Sequence, residues 1–157
     1  MSTVPMTKAG KQKLEDELKQ LKSVERPKVI EAISIARAHG DLSENAEYDA
    51  AKERQSFIEG RIKELDDKLA RAQVVDPKEI RTDRIVFGAT IELLDVDSEE
   101  KKVYVIVGTD EADIKAGKIS IESPVARQLL NRKEGDTVTI RVPKGEIEYE
   151  VLSVRYE

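Results

Sequence analysis

The chain has 157 residues, enough for one large domain or two small ones. Charged residues make up 38% and aromatic residues 4%, a balance that suits an extended helical part in which much of each helix faces water. Without cysteine, the chain can form neither a disulfide framework nor a thiolate metal site. It also lacks a long apolar run and a basic leader followed by an apolar stretch. We therefore expect no membrane span, no secretory signal and a cytoplasmic protein.

The net charge of −5 is unevenly distributed along the chain. Residues 1–78 carry 15 Lys and Arg against 15 Asp and Glu, whereas residues 79–157 carry 12 against 17. Non-specific affinity for DNA grows with the number of phosphates that a protein neutralises. A chain with this balance gains little from such attraction, so any contact with nucleic acid should be local.

The first predicted element is one long, bent helix over about residues 7–39. Thr7 is a candidate N-cap. Apolar residues then recur at the spacing of a single buried stripe, at Leu14, Leu18 and Leu21. Pro27 lacks a backbone donor and should kink or loosen the helix. The stripe is predicted to resume in a shifted phase at Ile30, Ile33 and Ala36 or Arg37.

A short acidic turn follows this helix. Gly40 stands where a helix C-terminus favours a residue that tolerates the left-handed conformation, so the helix should end there. Asp41 and Glu44 have the spacing of an N-cap and its capping-box partner, which predicts that a second helix begins at once. Two helices joined by so few residues must run antiparallel, as a hairpin.

The second helix shows the clearer pattern, because its seam positions are spaced alternately three and four residues apart. This heptad seam comprises Tyr48, Ala51, Gln55, Ile58, Ile62, Leu65, Leu69 and Ala72. A helix of about 28 to 32 residues gives a rod of roughly 42 to 48 Å. The helical pattern ends at residues 74–77. Residues 1–78 are therefore predicted to form an antiparallel coiled-coil hairpin, with its tip at residues 40–48.

Residues 79–157 are predicted to form a separate, small α+β domain. Its β-rich runs lie at residues 85–87, 90–94, 103–107, 119–121, 137–142 and 147–156. Apolar and charged residues alternate in these runs, which indicates an antiparallel sheet with one face in water. Ser123 as N-cap and Pro124 at the first helical position predict a short helix that continues to about Leu130.

The carboxylates of the tip allow two interpretations. Asp41, Glu44 and Glu47 surround a helix start, where acidic residues are common because they cap the helix and face its positive dipole end. The same residues could form part of a magnesium site, because Mg²⁺ is often held by one or two carboxylates together with substrate phosphates and water. Two carboxylates do not make a complete catalytic centre. The position of the acids at the far end of a long rod favours the second interpretation.

Basic residues flank the acidic turn. Arg37, Lys52 and Arg54 are each explained as solvated charges on a helix surface, but together they could guide the 3′ end of a nucleic acid toward the turn. His39, the only histidine, has no second histidine or cysteine with which to bind a metal, and it suits the negative end of the first helix. The chain contains no histidine-paired nucleophile, Gly-rich phosphate loop or zinc-ligand spacing, so we predict no free-standing enzyme.

Four segments together resemble the bacterial Gre transcript-cleavage factors, the GreA/GreB family, and are closer to the GreA side. The segments are Pro5-Met6-Thr7, Gly40-Asp41-Leu42-Ser43-Glu44-Asn45-Ala46-Glu47-Tyr48, Phe87-Gly88-Ala89-Thr90 and Ser123-Pro124-Val125-Ala126-Arg127. The resemblance covers essentially the whole chain in the same order, and the tip motif is the most specific part of it. The low pI favours the GreA side as well.

The resemblance implies an N-terminal antiparallel coiled coil and a C-terminal domain similar in fold to FK506-binding proteins, without their isomerase activity. It implies a monomer that docks on bacterial RNA polymerase at the rim of the secondary channel and inserts the coiled coil. Asp41 and Glu44 would then help to hold the second Mg²⁺ of the polymerase active site, where backtracked RNA is hydrolysed. The resemblance further implies that the protein binds no cofactor alone and acts as an accessory factor that rescues arrested complexes.

The resemblance also implies that Arg37 and Lys52 contact the backtracked RNA 3′ end, and that Ser123 and Pro124 lie in the polymerase-docking region. Two alternatives remain open. An inhibitor of the same family would enter the channel and block it, although its tip carries more acidic residues in another arrangement. A plain interaction module would use the coiled coil to bridge partners, with a tip that merely turns.

Overall fold

The computed structural model of the chain describes residues 2–41 and 45–157. The chain packs as two compact units. Lys11–Ala72 forms most of the hairpin unit, and Thr3–Gly10 packs together with Gln73–Glu157 in the C-terminal unit. The predicted domain boundary between residues 78 and 79 stays a prediction. The mixed α+β architecture, with a helical hairpin followed by a sheet, is confirmed.

The first arm of the hairpin is one continuous helical segment preceded by a short strand. Its parts are β1 (Val4–Thr7), α1 (Lys8–Gln20), a π-helical turn (Leu21–Glu25) and α2 (Arg26–Arg37). The Thr7 hydroxyl accepts a hydrogen bond from the Gly10 amide at 3.0 Å, so Thr7 is the N-cap of α1 as predicted. The predicted long helix is thus confirmed, apart from the strand at its start.

Pro27 lies in the first turn of α2, directly after the π-helical turn. A proline removes one intrahelical donor, and the wider turn before it accommodates the loss. The turn also changes which residues face the partner helix. Val29 is buried and Ile30 is 52% exposed, so the prediction that Ile30 continues the stripe is wrong. Ile33 and Ala36 are buried as expected.

The second arm is α3 (Ala46–Ala70), and it is shorter than predicted. Its 25 residues span about 38 Å. The helix ends because Arg71 is its C-cap and the next residues form β2 (Ala72–Val75), which pairs with β1. Ala72 therefore belongs to a strand. The other seam residues are buried or half-buried in the structure: Tyr48, Ala51, Gln55, Ile58, Ile62, Leu65 and Leu69.

Ion pairs along the outside of the seam show that the arms run antiparallel. From Glu17–Arg61 (2.8 Å) to Glu25–Arg54 (2.7 Å) the residue number rises on the first arm and falls on the second. It does the same from Lys22–Asp66 (3.5 Å) to Arg26–Glu59 (2.8 Å). Exposed pairs of this kind each contribute little to stability. The main stabilisation comes from apolar side chains that bury against each other, with Val29, Ile58 and Ile62 at the centre.

The C-terminal unit contains a five-stranded sheet and one α-helix. Its elements are β3 (Thr90–Asp95), β4 (Lys101–Val107), β5 (Lys118–Ser120), α4 (Pro124–Leu129), β6 (Thr137–Val142) and β7 (Gly145–Arg155), with 3-10 turns at Pro77–Glu79, Thr109–Glu111 and Ile114–Ala116. The strand order is β5-β4-β3-β7-β6. Neighbouring strands are antiparallel except β4 and β5, whose parallel pairing differs from the expected antiparallel sheet.

The core of this unit lies between one face of the sheet and α4. It consists of Ile85, Phe87, Ala89, Ile91, Leu93, Ile106, Ile119, Ala126, Leu129, Val138, Ile140, Tyr149 and Val151. Strand residues alternate between this core and solvent, most clearly in β6. The alternation that indicated one wet face is therefore present in the folded sheet.

The predicted strand at residues 85–87 is wrong. Ile85 exchanges backbone hydrogen bonds with the loop after α4, through Arg132 O at 2.7 Å and Asn131 N at 2.8 Å. The chain then turns at Gly88, whose φ is 91°. Ile85 and Phe87 are both buried. Their apolar character reflects the core that they fill, which a β-rich run in the sequence does not distinguish from a strand.

Candidate functional site at the hairpin tip

The first arm ends at the predicted glycine. Gly40 has a φ of 101°, and its amide donates to the Arg37 carbonyl at 3.2 Å. A residue with a Cβ would be strained in this conformation, so the turn depends on glycine. The hairpin tip thus begins where the sequence indicated.

Asn45 closes the tip by bonding both arms. Its side-chain oxygen accepts from the Tyr48 amide at 3.0 Å, which caps α3. Its side-chain nitrogen donates to the Ala36 carbonyl at 2.7 Å, which satisfies an acceptor in the last turn of α2. An asparagine amide carries both a donor and an acceptor, so one side chain can serve both helix ends.

Asp41 was predicted to cap the second helix, with Glu44 as its capping-box partner. The prediction for Asp41 is wrong. α3 begins at Ala46, five residues after Asp41, and its N-cap is Asn45. Glu44 lies outside the described residues. The sequence contained a signal for this arrangement, since asparagine is as good an N-cap as aspartate and Asn45 directly precedes the helical pattern. The capping-box spacing of Asp41 and Glu44 favoured Asp41 over Asn45 as the predicted N-cap.

The described carboxylates of the tip have different surroundings. Asp41 is exposed in the turn. Glu47, in the first turn of α3, lies 3.2 Å from Nδ1 of His39 at the end of α2, so the acid and the imidazole face each other across the tip. Within residues 2–41 and 45–157, no group of three His, Cys, Asp or Glu side chains is arranged to hold a metal ion.

The structure brings Arg37 and Lys52 together. Both line one groove of about 310 Å³ on the hairpin, next to the tip, with Ile30, Ser34 and Gln55 among the other lining residues. The exposed side chain of Ile30, which sequence reasoning placed in the seam, gives this groove an apolar wall. A basic groove with an apolar wall can hold a phosphate backbone and contact a base or sugar beside it.

Neighbouring side chains restrict both cations of the groove. The guanidinium carbon of Arg37 lies 6.0 Å from the centroid of the Tyr48 ring, at the outer limit of a cation–π contact. The Lys52 amine lies 3.1 Å from the Gln55 amide oxygen. Arg54, also considered for RNA contact, pairs with Glu25 across the hairpin at 2.7 Å instead. Tyr48 and Gln55 thus contact the candidate site, and the sequence indicated them only as members of the seam.

The candidate docking residues lie in the C-terminal unit. The Ser123 hydroxyl accepts from the Ala126 amide at 3.2 Å and caps α4, and Pro124 occupies the first turn with its side chain exposed. The short helix predicted from these two residues is confirmed, although it ends at Leu129. Pro124 is thus rigid and accessible, as a docking residue must be.

Two family models cover nearly the whole chain. Residues 4–74 match "Transcription elongation factor, N-terminal", and residues 80–156 match "Transcription elongation factor, GreA/GreB, C-term". The chain belongs to the GreA/GreB family of transcription elongation factors. Arg37, Asp41, Asn45 and Lys52 fall in the first matched segment of the GreA/GreB family, and Ser123 and Pro124 fall in the second.

Curated relatives within the GreA/GreB family extend over the same length. A transcription elongation factor GreA of Ralstonia nicotianae is 61% identical over 157 residues, covering 99% of each chain. One from Bartonella tribocorum is 59% identical over 156 residues, again covering 99% of each. Among solved structures, the GreA factor homolog 1 (Gfh1) of Thermus thermophilus is 28% identical and covers 98% of this chain and 99% of its own, with a TM-score of 0.45.

No helix in the described part of the chain is both long and apolar enough to cross a membrane.

Proposed function

We propose that this protein binds bacterial RNA polymerase, inserts its hairpin into the secondary channel and stimulates the polymerase's own cleavage of backtracked RNA. The arrangement of the tip carries the proposal. Asn45 joins the two arms and caps α3, so the cap of the second helix does not depend on Asp41. The cap of α3 is therefore kept when Asp41 contacts a partner. The names of the full-length relatives support the same function.

The donors of the tip fit a shared magnesium ion. Asp41 and Glu44 offer carboxylate oxygens, which are hard ligands of the kind that Mg²⁺ prefers. Two carboxylates leave its coordination sphere incomplete, so the other ligands must come from the polymerase and from water. Held partly by Asp41 and Glu44, a second Mg²⁺ would supply charge stabilisation for phosphoryl transfer. In this proposal the protein is an accessory factor and the polymerase is the enzyme.

The remaining roles follow from the groove and from α4. Arg37 and Lys52 bind phosphates of the backtracked RNA 3′ end, since both line the groove next to the acidic turn. Ser123 and Pro124 belong to the surface that docks on the polymerase. These contacts require the cytoplasm, where the polymerase works. RNA contact at the tip and protein contact at α4 therefore belong to different units of the chain.

A cleavage assay on stalled, backtracked elongation complexes tests the proposal. Asp41→Asn and Glu44→Gln keep side-chain size and remove charge, so each should bind polymerase like the wild type and lose stimulation by about tenfold or more, equivalent to roughly 1.4 kcal/mol of transition-state stabilisation. Glu31→Gln, an exposed acid on α2 away from the tip, is the matched control and should leave stimulation unchanged.

The same assay separates the alternatives. If both tip variants fold, bind polymerase and stimulate cleavage fully, the role of the tip carboxylates is wrong. A wild-type protein that binds polymerase and suppresses cleavage is an inhibitor of the same channel. A wild-type protein that neither binds polymerase nor changes cleavage supports the interaction module.

A further inference from the structure

The C-terminal unit carries a second basic groove, of about 460 Å³, between α4, the loop that follows it and β6. Three arginines line it, Arg127, Arg132 and Arg141. Leu130, which is half-buried, contributes apolar surface to the same groove. We call this feature the arginine groove. All of its lining residues lie in the C-terminal unit.

One side chain fixes the two walls of the arginine groove. The Gln128 amide nitrogen donates to the Pro124 carbonyl at 3.0 Å, and its oxygen accepts from the Arg141 amide at 3.1 Å. α4 and β6 are thereby linked at the level of the arginines. The groove exists in the folded protein before any partner arrives, which lowers the entropy cost of binding.

The loop that carries Arg132 is also held in place. Asn131 has a φ of 68°, a left-handed conformation that asparagine adopts more readily than most residues with a side chain. Ile85 bonds this loop on both sides, through Asn131 N and Arg132 O, and Arg84 donates to the Asn131 carbonyl at 2.9 Å. These hydrogen bonds position the backbone of Arg132.

The positive charge of the arginine groove is weakly compensated within the protein. In the described part of the chain, no ion pair joins Arg127 or Arg132 to a carboxylate. Arg141 lies 3.2 Å from Glu146, but both side chains are exposed, at 83% and 58%, so this pair contributes little and can be exchanged. Three guanidinium groups therefore face solvent in the half of the chain that has an excess of acids.

We infer that the arginine groove binds an acidic segment of a protein partner through its carboxylates. Arginine forms paired hydrogen bonds with carboxylates, and the apolar surface beside the arginines suits the aliphatic side chains of a peptide. Under the proposed function, on which this inference rests, the partner is the polymerase. The groove begins at Arg127, one helical turn from Pro124, so it extends the proposed docking surface along α4.

A nucleic acid fits the arginine groove less well, although phosphates also bind arginine. The described lining residues include no aromatic ring on which a base could stack. The chain as a whole carries a net charge of −5, which opposes a long polyanion beyond the immediate contact. A short acidic segment avoids this repulsion because it engages only the groove.

The test is binding of the full-length chain to isolated bacterial RNA polymerase across a range of salt concentrations. Arg127→Glu combined with Arg132→Glu should raise the Kd by about tenfold or more and make it less dependent on salt, because charge pairs at the interface are lost. Arg127→Lys combined with Arg132→Lys keeps the charge and should lose less. Lys115→Glu, an exposed cation in the turn between β4 and β5, is the matched control and should bind like the wild type.

Circular dichroism establishes whether the variants fold. If the Arg127→Glu and Arg132→Glu variant does not fold, the Arg127→Lys and Arg132→Lys variant still tests the groove. If the wild type binds polymerase and the folded groove variants bind it with the same Kd, the inference about the groove is wrong and the proposed function is unaffected. An equal loss in Lys115→Glu also overturns it, because the effect is then general charge. Loss of binding to a single-stranded RNA probe with polymerase affinity intact makes the groove a nucleic-acid site. Failure of the wild type to bind polymerase overturns the proposed function itself.

Discussion

Asn45 is the residue on which the shape of the tip depends. Its amide spans from the Tyr48 backbone on α3 to the Ala36 carbonyl on α2, at 3.0 and 2.7 Å. Removing the side chain leaves a helix N-terminus uncapped and takes one donor from the carbonyl of the buried Ala36, and each loss costs free energy. The proposed function needs a tip that remains closed while its acid reaches into another active site, so this amide supports function as well as stability.

Asn45→Ala should therefore lower the free energy of unfolding of the hairpin by about 1–2 kcal/mol. Asn45→Asp should lose less, because a carboxylate still accepts from the Tyr48 amide but cannot donate to Ala36. Urea unfolding followed by helical circular dichroism measures both. Ser56→Ala, at an exposed position of α3, is the control and should change the value by no more than about 0.5 kcal/mol. Equal stability of the alanine variant and the control would contradict the role of Asn45.

Glu111 organises a second small cluster, within the C-terminal unit. Its carboxylate accepts from the Thr7 amide at 3.0 Å, from the Thr7 hydroxyl and from the Gly108 amide at 3.3 Å. Thr7 in turn caps α1 through the Gly10 amide. The first turn of α1 is thereby bonded to the turn that follows β4. A Cβ built on Gly10 would lie well under 3.0 Å from the Glu111 carboxylate, so the cluster requires glycine there.

Two glycine substitutions should have opposite effects. Gly10→Ala should destabilise the protein by about 1–3 kcal/mol, because Glu111 must move away and leave hydrogen bonds to a charged group unmade. Gly60→Ala, in the middle of α3 with no atom within 4 Å of the added Cβ, should stabilise it by up to about 1 kcal/mol through helix propensity. Thermal unfolding of both variants measures the difference. A stabilising Gly10→Ala would show that the Glu111 cluster contributes nothing.

At the scale of the elements, the hairpin combines an apolar seam with charged pairs on its flanks. The pKa of Glu59 lies below its ordinary value of 4.5 because Arg26 donates a hydrogen bond to it and adds its charge. The pKa of Glu64 is likewise lowered, by hydrogen bonds from Lys68 and Arg61. A carboxyl whose pKa is lowered in the folded state stabilises that state above its unfolded pKa, and the contribution disappears as the pH falls through the folded value.

The helical hairpin should therefore keep a constant unfolding temperature from pH 7 to about pH 5, and lose stability below pH 4.5 as these carboxylates are protonated. Glu59→Gln removes one of them, so its unfolding temperature should fall less between pH 5 and pH 3 than that of the wild type. Glu53→Gln, an exposed residue of α3 outside these pairs, is the control. Identical acid sensitivity of Glu59→Gln and the wild type would contradict the proposed contribution of the Arg26 pair.

At the scale of the whole molecule, the proposed tasks belong to separate units. The basic groove with Arg37 and Lys52 lies in the hairpin unit, and Ser123 and Pro124 lie in the C-terminal unit. Each unit has its own apolar core. A change on the surface of one unit should therefore leave the contacts of the other intact, since distant sites without shared partners behave independently.

Substitutions in the two units should separate RNA contact from polymerase affinity. Arg37→Ala combined with Lys52→Ala should reduce crosslinking of the RNA 3′ end near the tip more than it reduces polymerase affinity. Pro124→Arg should do the reverse, weakening affinity by about tenfold while helical circular dichroism stays unchanged. Both quantities are measured on the same backtracked complexes. An equal loss of crosslinking and affinity in the Arg37 and Lys52 variant would contradict this division.

Sequence patterns predicted those features that depend on neighbouring residues. The seam of α3, the caps at Thr7 and Ser123 and the left-handed turn at Gly40 follow from local backbone preference and periodicity. The wrong prediction of the α3 cap arose because sequence spacing does not show contacts between the two arms. Asp41 was a plausible cap by spacing, but the competing Asn45 also bonds the other arm and is selected by that contact.

The sequence by itself determined the family, the two-part architecture and the residues that begin and end most helices, because these preferences act over a few neighbouring residues. Only the tertiary structure decided which side chains meet. The π-helical turn before Pro27 directs Val29 inward and leaves Ile30 exposed. The pairing of the arms places Arg37 beside Lys52 in one groove, and the packing of α4 on β6 assembles the arginine groove. Such contacts depend on how whole elements pack, and no short stretch of sequence contains that information.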